Sequence, residues 1–208
     1  MKNELHHVIS GKKPVRHGAI IQTIARYLED SAQASGSAED EKHVKSEETT
    51  RLTQYATRNQ LWVEDIDFSQ YISEGAEQKV YLENGSHVIK LNDTIYYNSW
   101  KDYFHNLLLH NYFFSDTAYE LLGFARENAT LYAVVKQPFV TITGTTDLQQ
   151  VKTFLIKNGF KNTRNNDYYH PQLGIILEDL HDENVLTQNG VLYFIDTVFY
   201  LTDSFWLR

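Results

Sequence analysis

"IILEDLHDENVLTQNGVLYFID", residues 175–196, sets two apolar runs, 175–177 and 191–195, around an island of Glu178, Asp179, His181, Asp182, Glu183 and Asn184. The second run ends on a further acid, Asp196. Short apolar runs bounded by turn formers read as buried strands. The island between them has two readings. It is the tip of a solvated hairpin, where Asp, Asn and Gly are expected, or it is a site that handles charge. Asp179 and Asn184 stand five positions apart, with Asp196 twelve further on at a strand end. Phosphoryl transfer needs a base for a hydroxyl proton, plus amide and carboxylate oxygens that share Mg²⁺, and little other covalent chemistry. D-x-x-x-x-N followed by a strand-terminal Asp supplies those oxygens, which suit a hard cation.

The other half of such a site must lie upstream. "EGAEQKVYLENGSHVIKLN", residues 74–92, belongs to a meander with strands near 70–73, 79–83 and 86–91. Asn84 and Gly85 form a two-residue hairpin signal between the last two. A turn at Gly75 would lay backbone N–H groups over phosphates, with Lys90 as a fixed positive charge. Lys90 ends an apolar strand, an awkward place for an ammonium unless its stem carries the head to solvent. Residues 98–110, "NSWKDYFHNLLLH", form a helix whose stripe is Trp100, Tyr103, Phe104 and Leu107; core packing is the reading for it. Two more strands follow at 119–128 and 129–140. A helix over 145–160 starts at a Thr146–Gln149 capping box and stops at Asn158 and Gly159. Strands and turns fill the remainder, so the fold class is α+β.

Composition limits what the chain does. Of 208 residues, 42% are hydrophobic and 13% aromatic, enough for a sizeable core. A net charge of −8 argues against a domain that grips nucleic-acid phosphates through clustered Lys and Arg. Without any Cys there is no disulfide, thiolate metal site or cysteine nucleophile, which fits a reducing compartment. No signal peptide or membrane-length run is apparent, so the expectation is a cytoplasmic protein without a membrane partner. Residues 1–13 read as loose, and 14–28 as an amphipathic helix carrying Ile20, Ile21, Ile24, Tyr27 and Leu28. Residues 29–48 are small and charged and read as a flexible linker; helical spacing resumes over 47–60. The nine His show no helical i, i+4 pair suited to zinc, and the His181–Asp182 doublet lacks the helical setting of a metal phosphohydrolase.

The order of these segments resembles protein kinase-like folds. "ISEGAEQKVYL" is similar to the nucleotide-covering loop, "VIK" to the phosphate-contacting lysine strand, and "LYAVVKQPFV" to the strand leading into the hinge. "EDLHDENVL" resembles the catalytic loop, in the style of aminoglycoside and choline phosphotransferases, and "YFID" the metal-binding strand. With "HNYFF", "YELLGF" and "KNGF", the combination most resembles the compact kinase-like domain of polyvalent proteins of phages and mobile elements, notably from Bacteroidetes, over about residues 50–208. The resemblance implies an antiparallel-sheet N-lobe with one helix (49–140), a truncated C-lobe (141–208) and an N-terminal helix plus linker (1–48). It implies ATP and Mg²⁺ as cofactors, Asp179 as base, and Asn184 and Asp196 as metal ligands. Lys90, Gly75, Gln137 and Phe139 would bind nucleotide, and His181 would touch the transferring phosphate. Departures are a single loop glycine, Pro138 in the hinge with no N–H to give, and Thr197–Val198 after Asp196 in place of Phe-Gly. No Glu stands on the helix to pair Lys90, for which Asp102, Glu74 or Glu77 would substitute. The implied function is an ATP- and Mg²⁺-dependent phosphotransferase acting on a small molecule, a protein or itself. The alternative is an inactive nucleotide-binding or protein-interaction module, with a protein partner or a larger parent polypeptide.

Overall fold

In the computed structural model, which describes residues 1–35, 41–74 and 78–207, three helices precede the first strand: α1 (Lys2–Ile9), α2 (Ala19–Ser35) and α3 (Glu41–Arg58). α1 stands where a loose tail is expected. It buries Leu5, Val8 and Ile9, and Lys2 Nζ donates to the carbonyls of Ser204 and Leu207 at 2.8 Å each. α2 buries Ile21, Ile24, Ala25 and Leu28, whereas Ile20 faces solvent. Within the stretch read as a flexible linker, 29–48, helix occupies both sides of 36–40, which lie outside the described residues. The anchorage described over 43–49 is polar, so a search for apolar spacing misses it. Lys45 Nζ donates to the carbonyls of Thr94 (2.5 Å) and Tyr97 (2.9 Å), and Thr49 Oγ1 accepts from the indole of Trp100 (2.9 Å).

The first lobe is a five-stranded antiparallel sheet. Its strands are β1 (Tyr71–Glu74), β2 (Gln78–Glu83), β3 (His87–Asn92), β4 (Glu120–Glu127) and β5 (Thr130–Pro138), in spatial order β1-β2-β3-β5-β4. Asn84 and Gly85 both adopt positive φ (51° and 67°), as a tight hairpin between β2 and β3 requires. Gly123 sits at a register shift in β4 with φ of 152°, and a Cβ there would lie 2.1 Å from the Leu61 carbonyl oxygen. The segment entering the lobe can therefore lie against β4 only where a side chain is missing.

One helix, α4 (Trp100–Phe113), is inserted between β3 and β4. Its N-terminus is capped twice. Ser99 Oγ accepts from Asp102 N (3.0 Å), and Glu48 of α3 accepts from Trp100 N (2.6 Å) and Lys101 N (3.4 Å). Three of the four N–H groups that a helix start leaves orphaned are thus satisfied. Trp100, Phe104, Leu107 and Leu108 are fully buried, which agrees with the core reading of this helix.

The second lobe begins with α5 (Leu148–Lys157). Its cap is Asp147, which accepts from Gln149 N at 2.8 Å, and not Thr146, whose hydroxyl donates instead to the Val185 carbonyl at 2.6 Å. The strands β6 (Lys161–Arg164), β7 (Asp167–His170), β8 (Ile175–Glu178), β9 (Val185–Gln188), β10 (Val191–Phe194) and β11 (Val198–Leu201) follow, then a single turn of helix, α6 (Asp203–Trp206). β8 pairs with β7 and β11, while β10 pairs with β9. The two apolar runs around the acidic island therefore do not pair with each other, and the hairpin-tip reading fails. Phe113 stacks on Phe199 (5.5 Å between centroids) and Phe114 on Phe194 (4.1 Å), joining the end of α4 to the second lobe. The result is the expected α+β, kinase-like arrangement of antiparallel sheets with few helices. No helix among the described residues is long and apolar enough to cross a membrane.

Burial at the α3–α4 junction raises the Glu48 carboxyl to about 7, against the lowering effect of the two backbone N–H groups. An acid whose folded pKa is raised binds protons more readily folded than unfolded, so its ionisation opposes folding as pH rises from about 4.5 through 7. At about 1.4 kcal/mol per pH unit this costs roughly 3 kcal/mol at pH 8. Glu48→Gln keeps an acceptor without the charge. Its stability relative to wild type is expected to improve by about that amount between pH 5 and pH 8, measured by urea unfolding at both pH values.

Candidate functional site

The turn between β8 and β9 holds the acidic island in a left-handed bend. Asp179 has φ of 65°, a conformation that Asp and Asn tolerate better than other side-chain-bearing residues. Asn184 Nδ2 donates to the Asp179 carbonyl (2.8 Å) and to its Oδ2 (2.9 Å), so the amide orients the carboxylate across the turn. His181 Nε2 lies 3.3 Å from Asp179 Oδ1 and 3.1 Å from Asn184 Nδ2. Asp179 N donates to Asp167 Oδ1 at 3.2 Å, tying the bend to the start of β7. The second strand end comes alongside through the backbone: the Asn184 carbonyl accepts from Ile195 N (2.9 Å) and Asp196 N (3.4 Å).

Lys90 reaches the same place from β3. It is 3% exposed, and its Nζ donates to the Ile195 carbonyl at 3.1 Å and lies 3.6 Å from Asp196 Oδ2. The ammonium also sits 5.4 Å from the centroid of the Tyr119 ring. Gln78, at the start of β2, donates its amide to the same Asp196 oxygen. Of the substitutes expected for a helix glutamate, the two that are described, Asp102 and Glu74, make no ion pair with Lys90. Asp102 is engaged with the Ser99 cap, whose hydroxyl donates to it at 2.7 Å, and Glu77 lies outside the described residues.

Two adjoining cavities meet at these residues. One, of about 510 Å³, is lined by Asp179, His181, Asn184 and Asp196 together with Asp167 and Tyr96. The other, of about 430 Å³, runs under the sheet past Lys90, Gln137, Pro138, Phe139 and Val140 and shares Gln78, Glu183, Asn184 and Asp196 with the first. Both volumes fall in the range of small-molecule pockets, roughly 300–1,000 Å³. Asp179, Asn184 and Asp196 therefore converge on one cavity, with Lys90 across the shared wall. Gly75 lies outside the described residues.

The hinge residues line the cleft but have other obligations. Phe139 N donates to the Ser86 carbonyl at 2.9 Å, so the N–H expected to face adenine is committed elsewhere. Gln137 is buried, and its side-chain amide donates to the Thr117 carbonyl at 2.8 Å. Four contributors escaped the sequence: Gln78, Tyr119, His110 and Thr197. Thr197 carried a signal, because it stands where a Phe was expected, and it is hydrogen-bonded to His110 of α4 at 2.7 Å. Burial holds His110 neutral, with its pKa lowered to about 3; Lys90 acts in the same direction and the Thr117 carbonyl against it. On the cavity wall Glu178 is raised by desolvation and by the neighbouring charges of Asp167 and Asp179.

The donor set suits Mg²⁺ better than a softer ion. Among the described residues no group of three or more His, Cys, Asp or Glu could hold a metal alone. Asn184 and Asp196 provide one amide and one carboxylate at the junction, and Mg²⁺ is commonly held by one or two such oxygens completed by substrate phosphates and water. Residues 45–203 match the family described as serine/threonine/tyrosine kinase found in polyvalent proteins. The chain belongs to this kinase family. No curated protein matches it. The family match begins at the N-terminal end of α3, so α1 and α2 lie outside it although both pack on α4.

The burial of Lys90 sets a stability test that needs no substrate. Asp196→Ala leaves the ammonium, among the described residues, with the Ile195 carbonyl and the Tyr119 ring, and is expected to cost about 2 kcal/mol in urea unfolding; Asp196 is partly exposed, so the cost falls below that of a fully buried pair. Asp179→Asn, at an exposed position in a conformation that Asn accepts, is expected to stay within about 0.5 kcal/mol of wild type.

Proposed function

We propose that the chain is an ATP- and Mg²⁺-dependent phosphotransferase whose base is Asp179. The observation that carries this is the meeting of Asp179, Asn184 and Asp196 on one cavity with Lys90 on its shared wall. The cleft beneath the sheet takes the nucleotide, and the cavity beyond Asp196 takes the acceptor. Lys90 supplies positive charge to phosphate oxygens, moving off Asp196 to do so, and Gln78 exchanges its bond to Asp196 in the same step. Asn184 orients the Asp179 carboxylate, which accepts the proton of an acceptor hydroxyl. His181, within reach of both, contacts the transferring phosphoryl oxygens. Bound Mg²⁺, held by Asn184 and Asp196 with phosphate oxygens, would neutralise charge on the transferring group. With Pro138 lacking an N–H and that of Phe139 committed to Ser86, recognition of the adenine edge passes to Val140, the next residue along the cleft. The family description supports a serine, threonine or tyrosine hydroxyl as the acceptor.

A second reading, a nucleotide-holding or protein-contact module without transfer, is favoured by the hinge. A cleft whose Phe139 N–H is already spent offers adenine less than a typical nucleotide site. Two measurements separate the readings. Transfer of the γ-phosphate, assayed on the chain itself and on hydroxyl-bearing peptides, is expected to fall by about 10²–10⁴ in Asp179→Asn; equal activity in the two proteins removes Asp179 as the base. Nucleotide at a hundred times its dissociation constant, with Mg²⁺, is expected to stabilise the fold by about 2.7 kcal/mol. Stabilisation without transfer selects the second reading.

A further inference from the structure

Asp196 is held in place by its neighbours in the chain, each tied to the first lobe by a different buried side chain. The Phe194 carbonyl accepts from the Thr117 hydroxyl at 2.5 Å. The Ile195 carbonyl accepts from the Tyr119 hydroxyl at 2.7 Å and from Lys90 at 3.1 Å. On the far side, Thr197 Oγ1 lies 2.7 Å from His110 Nδ1. Residues 194, 195 and 197 are thus bracketed, and of this segment Asp196 alone lines both cavities.

The direction of every proton in this network follows from its acceptors. His110 Nε2 lies 3.0 Å from the Thr117 carbonyl, which can only accept, so Nε2 carries the hydrogen. Nδ1 of the neutral ring is then an acceptor, and the Thr197 hydroxyl donates to it. The same Thr117 carbonyl also accepts the Gln137 amide at 2.8 Å. Gln137, Thr117, His110 and Thr197 are all nearly inaccessible, at 1%, 1%, 0% and 2% exposure. A buried network with every member satisfied is rigid, because any rotation leaves a polar group unpaired in a low-dielectric interior.

We infer that His110 and Thr197 are positioning residues for the candidate metal-binding carboxylate of Asp196, coupling the last turn of α4 to the oxygen that would face Mg²⁺. This rests on the phosphotransferase reading of the cleft. No α4 carboxylate reaches Lys90, so α4 acts on the cleft through the Thr197 hydroxyl and not through Lys90 itself. Neither residue touches nucleotide or acceptor in this assignment. Partners of metal ligands typically alter metal affinity by about 10–100-fold when removed, and that is the size of effect expected here.

The test uses the full chain and two variants, the nearly isosteric Thr197→Val and the hydroxyl-bearing Thr197→Ser, at a temperature where both are folded by circular dichroism. Calorimetry measures Mn²⁺ binding in the presence of ADP, and ADP binding in EDTA. With the inference correct, Thr197→Val weakens Mn²⁺ binding about tenfold or more and leaves metal-free ADP binding unchanged, while Thr197→Ser, which keeps the hydroxyl, stays close to wild type. A purely packing role gives the opposite order, since Val fills the site and Ser leaves a methyl-sized hole; that order, or equal Mn²⁺ affinity in all three proteins, overturns the inference alone. Wild type that binds no Mn²⁺ with ADP overturns both this inference and the reading on which it rests.

Discussion

An ammonium at the floor of a cleft must be paired, because desolvation penalises an isolated charge far more than packing can offset. Lys90 meets that requirement with the carboxylate of Asp196, the carbonyl of Ile195 and the face of Tyr119. Those three partners come from both lobes, so a single buried charge obliges the sheet and the 194–197 segment to stay in register. Asn184 joins the same segment through its own carbonyl and turns its amide on Asp179. The geometry of the whole candidate site is therefore tied to satisfying one cation.

The helices upstream serve α4 in the same way. α3 contributes a carboxylate to α4's first N–H groups and a hydroxyl to its first tryptophan, and α1 and α2 cover it from outside. The far end of α4 carries His110 and the aromatic stack of Phe113 and Phe114 onto the second lobe. A helix held so firmly at both ends is a fixed strut between lobes. The kinase family match starts within this clamp, at residue 45, and α1 and α2 add to it from outside the matched region.

Much of the fold was legible where the local signal and the final environment agreed. The meander, the Asn84–Gly85 hairpin, the strands before the hinge and the stop at Gly159 all depend on backbone preferences that neighbours in sequence already decide. The misses share long-range polar contacts. α1 has a short apolar face, Leu5, Val8 and Ile9, and both α1 and the 43–49 stretch of α3 are tied down by polar contacts to distant carbonyls and N–H groups, such as Lys2 to Ser204 and Glu48 to Trp100. Asp147 took the cap from Thr146 because the Thr146 hydroxyl found the Val185 carbonyl. No hydropathy pattern records such long-range partners.

The sequence by itself determined the residue types of the site and their order: a lysine ending an apolar strand, then Asp, Asn and Asp at spacings suited to oxygen ligation. It also carried the departures, Pro138 and Thr197 among them. Only the tertiary structure decided which of them meet. The acidic island is a bend between β8 and β9 and not a hairpin tip, because β8 pairs with β7 and β11. Lys90 pairs with Asp196 while Asp102 accepts the Ser99 hydroxyl at the start of its own helix, and Thr197, where an aromatic was expected, meets the buried imidazole of His110. Spacing along a chain can state which groups are available; which of them meet is set by the burial and pairing of charge in the assembled core.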